Sequence, residues 1–127
     1  MNINTLTIKA QQALQGAVSA AQQTGQQAVE PLHLLSVLVA EDNSLGSFLI
    51  GRVGVNIHSL RAAVAEAISR LPKVSGAGEQ YFATDTTKVI QRAVDFTKKF
   101  NDRYASIEHL LLGLIAERSS ASEILNS

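Results

Sequence analysis

The chain aligns with itself. Displaced by 76 positions, the separation of His33 from His109, it matches without a gap: Gln15 with Gln91, Ala17 with Ala93 and Val18 with Val94. The register continues through His33-Leu34-Leu35 on His109-Leu110-Leu111, then Leu38 on Leu114, Ala40 on Ala116, Glu41 on Glu117, Ser44 on Ser120 and Leu49 on Leu125. A general likeness between apolar helices does not account for ungapped identities that include His, Gln, Glu and Ser. The pattern reads as two copies of a four-helix unit, about residues 5–71 and 84–127, joined by a linker at 72–83, with the second copy lacking its last helix. Two units are too few for a solenoid, which needs about three. Their apolar faces are therefore expected to close on each other as one pseudo-twofold core, with residues 13–49 and 89–125 superposing.

Apolar periodicity assigns the elements within each copy. Leu6, Ala10, Ala13, Leu14, Ala17, Val18 and Ala21 recur at helical spacing up to about Thr24, with glutamines on the opposite face. Gly25 suits the left-handed residue that ends such a helix. Pro31 opens a second helix, where its missing N–H is harmless; Ser44 caps a short third and Asn56 a fourth. After Pro72 and the flexible Ser75-Gly76-Ala77-Gly78 stretch, Thr84 is expected to cap a fifth helix carrying Val89, Ile90, Ala93, Val94, Phe96 and Phe100. Ser106 caps a sixth, and Ser120 with Glu123 forms a capping-box pattern for a seventh. No segment alternates with period two. The expected fold class is all-α.

Composition narrows the function. Eleven basic and 11 acidic residues cancel, so bulk charge offers no route to nucleic acid or an anionic membrane. The one asymmetry is mild: eight Lys/Arg against four Asp/Glu between Gly51 and Phe100. Absence of cysteine excludes disulfides, thiolate metal sites and cysteine nucleophiles, and suits a reducing compartment. No run approaches the ~18 apolar residues of a membrane helix, and the polar start lacks the pattern of an export signal. A soluble cytoplasmic chain is expected, and with no heptad seam, a monomer.

Chemical motifs are absent. The segment Gly46 to Val53 resembles a phosphate loop only in its glycines, for Arg52 and Val53 stand where Lys and Ser or Thr are needed, and Phe48, Leu49 and Ile50 fill the turn. It reads as a short helix. His33 and His109, with Glu30 and Glu108 nearby, are conceivable metal ligands, but one histidine per copy in register also fits a structural role. No catalytic set can be assembled, so the expectation is a chain that is not an enzyme and carries no metal or cofactor. Asp102 and Glu108 flank the start of the sixth helix, where an acid complements the helix dipole. Thr7 lies at the start of the first, where a hydroxyl caps.

Several segments resemble the amino-terminal domains of the Clp ring ATPases. Thr5-Leu6-Thr7 followed by Ala13-Leu14 is similar to the start of those domains, as are Glu30-Pro31-Leu32-His33-Leu34-Leu35 and Ser106-Ile107-Glu108-His109-Leu110-Leu111. The linker Leu71-Pro72-Lys73-Val74-Ser75-Gly76, with Gly78 and Tyr81, points to the ClpB type rather than the protease-coupled ClpA or ClpC. The resemblance covers essentially all 127 residues. It implies a parent hexameric ATPase that works with a DnaK-type system to extract polypeptides from aggregates. The tethered amino-terminal domain would engage unfolded or aggregated chains, weakly.

By that resemblance Thr7, Asp102 and Glu108 match residues implicated in substrate handling, and Val89 and Ile90 match an apolar groove beside them. His109 departs from the pattern, standing where some relatives have an apolar groove residue. The alternatives are an adaptor-docking domain of a ClpA- or ClpC-type unfoldase, a stand-alone accessory protein of the same domain type, and, in another class, a small helical enzyme.

Overall fold

The computed structural model describes residues 3–74 and 78–126. Ser75, Gly76 and Ala77, the centre of the expected flexible stretch, lie outside the described residues. A 3-10 turn at Ile3–Thr5 leads into α1 (Ile8–Gln23), β1 (Ala28–Val29), α2 (Pro31–Leu38), α3 (Leu45–Arg52) and α4 (Ile57–Ser69). Then come β2 (Tyr81–Phe82), α5 (Thr84–Lys99), α6 (Ile107–Ala116) and α7 (Ser120–Leu125). The all-α expectation is met by these seven helices.

Most helix starts follow from local chemistry. The hydroxyl of Thr7 accepts the Ala10 N–H at 3.1 Å, Ser44 accepts from Ser47 at 3.2 Å, and Asn56 accepts from Ser59 at 3.1 Å. Each side-chain oxygen satisfies a backbone donor that the first helical turn leaves without a carbonyl partner. Pro31 occupies the first turn of α2. The segment resembling a phosphate loop is helix α3.

Three local expectations are corrected. Thr84 is the first residue of α5, with Ala83 at the cap position and no side chain bonding there. α7 is capped by Ser119 in a reciprocal pair with Ser122, one residue earlier than expected, so Ser120 and Glu123 are helical residues. Leu6 is outside α1; it forms a parallel bridge with Ala105.

That bridge belongs to a small amount of β pairing which periodicity does not reveal. β1 pairs with β2 in parallel, Ala28 on Tyr81 and Val29 on Phe82. The Val29–Phe82 and Leu6–Ala105 bridges are the same contact displaced by 76 residues, each joining one half of the chain to the other. Ala83 N–H donates to the Val29 carbonyl at 3.0 Å, and Thr7 N–H donates to that of Ala105 at 2.9 Å. The helix ends recur likewise: Gln26 N–H to Ala21 C=O at 2.8 Å, and Asp102 N–H to Thr97 C=O at 2.7 Å. Gly25 (φ 74°) and Asn101 (φ 58°) hold the left-handed position at the two corners. Gly makes that turn without a Cβ clash, and Asn is the side chain that most readily tolerates it.

The described residues on either side of 75–77 are less free than a linker suggests. Val74 N–H donates to the Gly25 carbonyl at 2.9 Å, Gln27 reaches the Glu79 carbonyl at 3.3 Å, and Tyr81 N–H donates to Gln27 at 3.0 Å.

One core unites both halves. Leu32, Leu34, Leu35, Ile90, Leu110 and Leu114 are its largest fully buried apolar side chains, with small Ala10, Ala17, Ala21 and Ala93 between them. Burial of each large apolar side chain contributes about 1.5–3 kcal/mol relative to exposure. The two principal helix pairs are spaced differently. In α1 and α2, Gly16 faces the side chain of Val37; in α5 and α6, Gly113 faces the backbone of Val89 and Ala93.

Candidate functional site

The Leu6–Ala105 bridge organises the residues singled out from sequence. Thr7 follows it on one strand and caps α1. Asp102 lies three residues before Ala105 in the corner joining α5 to α6, and Glu108 is exposed in the first turn of α6. Two backbone bonds clamp the bridge, Thr7 N–H to Ala105 C=O and Ala105 N–H to Thr5 C=O at 2.8 Å. Thr7, Asp102 and Glu108 are thus all borne on segments meeting at one bridge.

Val89 and Ile90 are not part of this surface. They are 0% and 2% exposed and belong to the core face of α5, with Thr86, Ala93 and Thr97. Spacing of i, i+3, i+4, i+7 and i+11 turns that whole stripe inward. Neither residue presents area to a ligand here, and the groove assigned to them is corrected. The apolar surface beside Thr7 and Glu108 has other owners. A groove of about 450 Å³ runs between α1, the α2–α3 corner and the start of α6, lined by Lys9, Gln12, Val37, Leu38, Leu45 and Ile107 among others. Leu45 is 44% exposed, and Ile8, next to Thr7, is 71% exposed. Across the bridge, Tyr104 and Phe100 are about half exposed, with the Arg103 guanidinium 5.6 Å from the Tyr104 ring. The signal in sequence for Leu45, Ile107 and Tyr104 is weak, because each is a lone apolar residue at the edge of an element.

The corners of the two halves are built around the paired histidines. In the first, Glu30 N–H donates to His33 Nδ1 at 2.9 Å, and His33 Nε2 lies 2.7 Å from Gln26 Oε1. In the second, Ser106 N–H donates to His109 Nδ1 at 3.0 Å, and His109 Nε2 lies 2.9 Å from Asp102 Oδ2. Each imidazole sits at the third position of a reciprocal capping box. A backbone N–H can only donate, so Nδ1 accepts and the neutral ring carries its proton on Nε2. His33 is fully buried, and burial holds its pKa below the ordinary 6.5. Glu30 at the cap is pushed above 4.5, first by desolvation and then by the nearby Asp85. Among the described residues no three His, Cys, Asp or Glu side chains gather in a way that could hold a metal ion. Elsewhere, a cavity of about 340 Å³ between α1, α2 and α4 is lined by His33, Ser36, Val39, Arg61, Val64 and Ile68, among others. Arg61 braces its rim, donating from Nε to the Val39 carbonyl at 2.6 Å and pairing with Asp42 at 2.6 Å. That pairing holds the Asp42 carboxyl below 3.8. Among the described residues no helix is long and apolar enough to cross a membrane.

Comparison with known proteins agrees over the full length. The Clp repeat (R) N-terminal domain profile matches residues 5–127. Over 125 residues the chain is 44% identical to the chaperone protein ClpB of Porphyromonas gingivalis, covering 98% of this chain and 14% of that relative. It therefore spans a small amino-acid fraction of the curated relatives it matches. Among solved structures, the Hsp104 N-terminal domain from Candida albicans is similar with a TM-score of 0.84 at 19% identity, covering 95% of this chain and 79% of that one. The N-terminal domain of the chaperone ClpD from Arabidopsis thaliana is similar with a TM-score of 0.74 at 26% identity, covering 98% and 84%. With its sequence and its helical architecture in agreement, the chain belongs to the Clp repeat N-terminal domain family.

Proposed function

We propose that this chain is the substrate-engaging amino-terminal domain of a ClpB-type disaggregase, binding exposed apolar segments of unfolded or aggregated polypeptides. The observation that carries the reading is the convergence of Thr7, Asp102 and Glu108 on the Leu6–Ala105 bridge, beside an apolar groove lined by Val37, Leu45 and Ile107. Exposed Ile8, Phe100 and Tyr104 extend apolar area around the same bridge. The domain itself performs no chemistry; a ring ATPase in the parent chain, aided by a DnaK-type system, supplies the work in the cytoplasm. A groove this small, which must release its cargo, binds weakly, with dissociation constants at or above the micromolar level that corresponds to about −8 kcal/mol.

The test is titration of the monomeric domain with reduced, alkylated α-lactalbumin, which stays unfolded. Wild type is compared with Leu45→Asp and with the Asp102→Ala and Glu108→Ala double variant, and thermal melts report folding. Leu45 is partly exposed, so a charge there weakens binding by desolvation without entering the core. Equal binding by wild type and both folded variants would dismiss this surface. Capture of a folded adaptor, with no affinity for the unfolded chain, would instead favour the docking role of a protease-coupled relative.

A further inference from the structure

We infer that Asp102 is a positioning residue, serving the binding surface through His109 rather than by touching the bound polypeptide. The inference deepens the proposed reading of this surface and rests on it. Asp102 Oδ2 is 2.9 Å from His109 Nε2. The imidazole is nearly buried, with 8% of its side chain exposed, while the aspartate side chain is 48% exposed. Because Nδ1 already accepts the Ser106 N–H, the carboxylate accepts the Nε2 proton and holds the ring in the orientation that caps α6. Ser106, Ile107 and Glu108 begin that helix, and Ala105 just before it takes the Thr7 amide. Asp102 also bonds back through its own N–H to the Thr97 carbonyl at 2.7 Å. It therefore ties the end of α5 to the start of α6.

The first half of the chain shows that this task needs an oxygen acceptor and not a charge. Gln26 occupies the position 76 residues earlier, makes the matching backbone bond to Ala21, and places Oε1 2.7 Å from His33 Nε2. It does so with a neutral amide that is 2% exposed.

The internal counterpart supplies the experiment. Asp102→Gln copies the first corner into the second, whereas Asp102→Ala removes the acceptor. Imidazole nitrogen chemical shifts of His109 report the tautomer and the Nε2 hydrogen bond in each folded variant, and the unfolded α-lactalbumin titration reports binding. The Gln variant is expected to keep the Nε2–H tautomer and wild-type affinity. The Ala variant is expected to keep that tautomer but to show a shifted Nε2 resonance, its proton having lost the carboxylate, and to bind about threefold to tenfold more weakly, the range one net hydrogen bond commands. Three results overturn the inference: a Gln variant as weak as the Ala variant with its Nε2 shift as in wild type, an Ala variant that binds as wild type does, or an Ala variant whose His109 Nε2 shift is unchanged. Absence of binding by the wild-type domain would defeat the functional reading instead, while the nitrogen shifts still decide whether Asp102 governs His109.

Discussion

Replacing Gly113 by alanine probes the close approach of α6 to the backbone of α5. A Cβ on Gly113 would stand 2.5 Å from the Val89 carbonyl oxygen and 3.3 Å from the Ala93 nitrogen. Both are backbone atoms of α5, so no side chain can turn aside. Ordinary contact begins near 3.4 Å, and the two helices would have to part locally by about 0.9 Å. Overpacking of this kind costs about 1–3 kcal/mol. Replacing a mid-helix glycine by alanine returns about 0.5–1 kcal/mol of backbone entropy. The net expectation is a loss of about 1–2 kcal/mol, or roughly 4–8 °C in melting temperature for a chain of this length. Urea denaturation should show a lower midpoint at unchanged slope, because the surface exposed on unfolding hardly changes. Gly16→Ala is the control. Its Cβ meets only the γ carbons of Val37, the nearer at 3.1 Å, and a valine side chain can yield. With the same gain in backbone entropy and only a side chain to displace, that variant should be no more than about 0.5 kcal/mol less stable than wild type. A Gly113→Ala protein that melts at or above wild type would refute the backbone-contact argument.

Gln26→Ala should cost about 1–3 kcal/mol, since it strips the Ile68 carbonyl and His33 Nε2 of buried partners; chemical denaturation measures it, and Gln26→Glu should rescue poorly because it buries a charge. Thr7→Ala should remove about 1 kcal/mol by loss of the α1 cap, and Thr7→Ser should retain it, so that any binding defect in the Ser variant isolates the methyl group. Burial holds His33 below 6.5, so as pH falls the unfolded chain takes up the proton first; stability is fully present above pH 6.5 and declines below it. Melts between pH 7.5 and 5 should show that decline, and His33→Gln should flatten it.

Much of the fold was legible because it is written in local chemistry repeated twice. Ser44 and Asn56 cap because their oxygens reach a free N–H three residues on, and Pro31 starts a helix because its ring demands that φ; neither depends on the rest of the chain. The register linking His33 to His109 likewise needed only identity at fixed displacement. Cap assignments failed by one residue where several small polar residues compete, as at Ser119 and Ser120.

Tertiary structure alone decided the rest. The bridges Val29–Phe82 and Leu6–Ala105 join residues too few for any alternation to register, and they exist only because distant segments are brought alongside. Val89 and Ile90 carry the same apolar chemistry whether they line a groove or a core, and only the position of α6 against α5 buries them. Asp102 read as a dipole-complementing acid until its oxygen was placed beside His109 Nε2, a distance the chain sets by folding the end of α5 back onto the start of α6. Sequence determines what each segment can do with its immediate neighbours. Which face meets which partner is a property of the closed core, where exclusion of water from one arrangement of helices selects among local options of nearly equal energy.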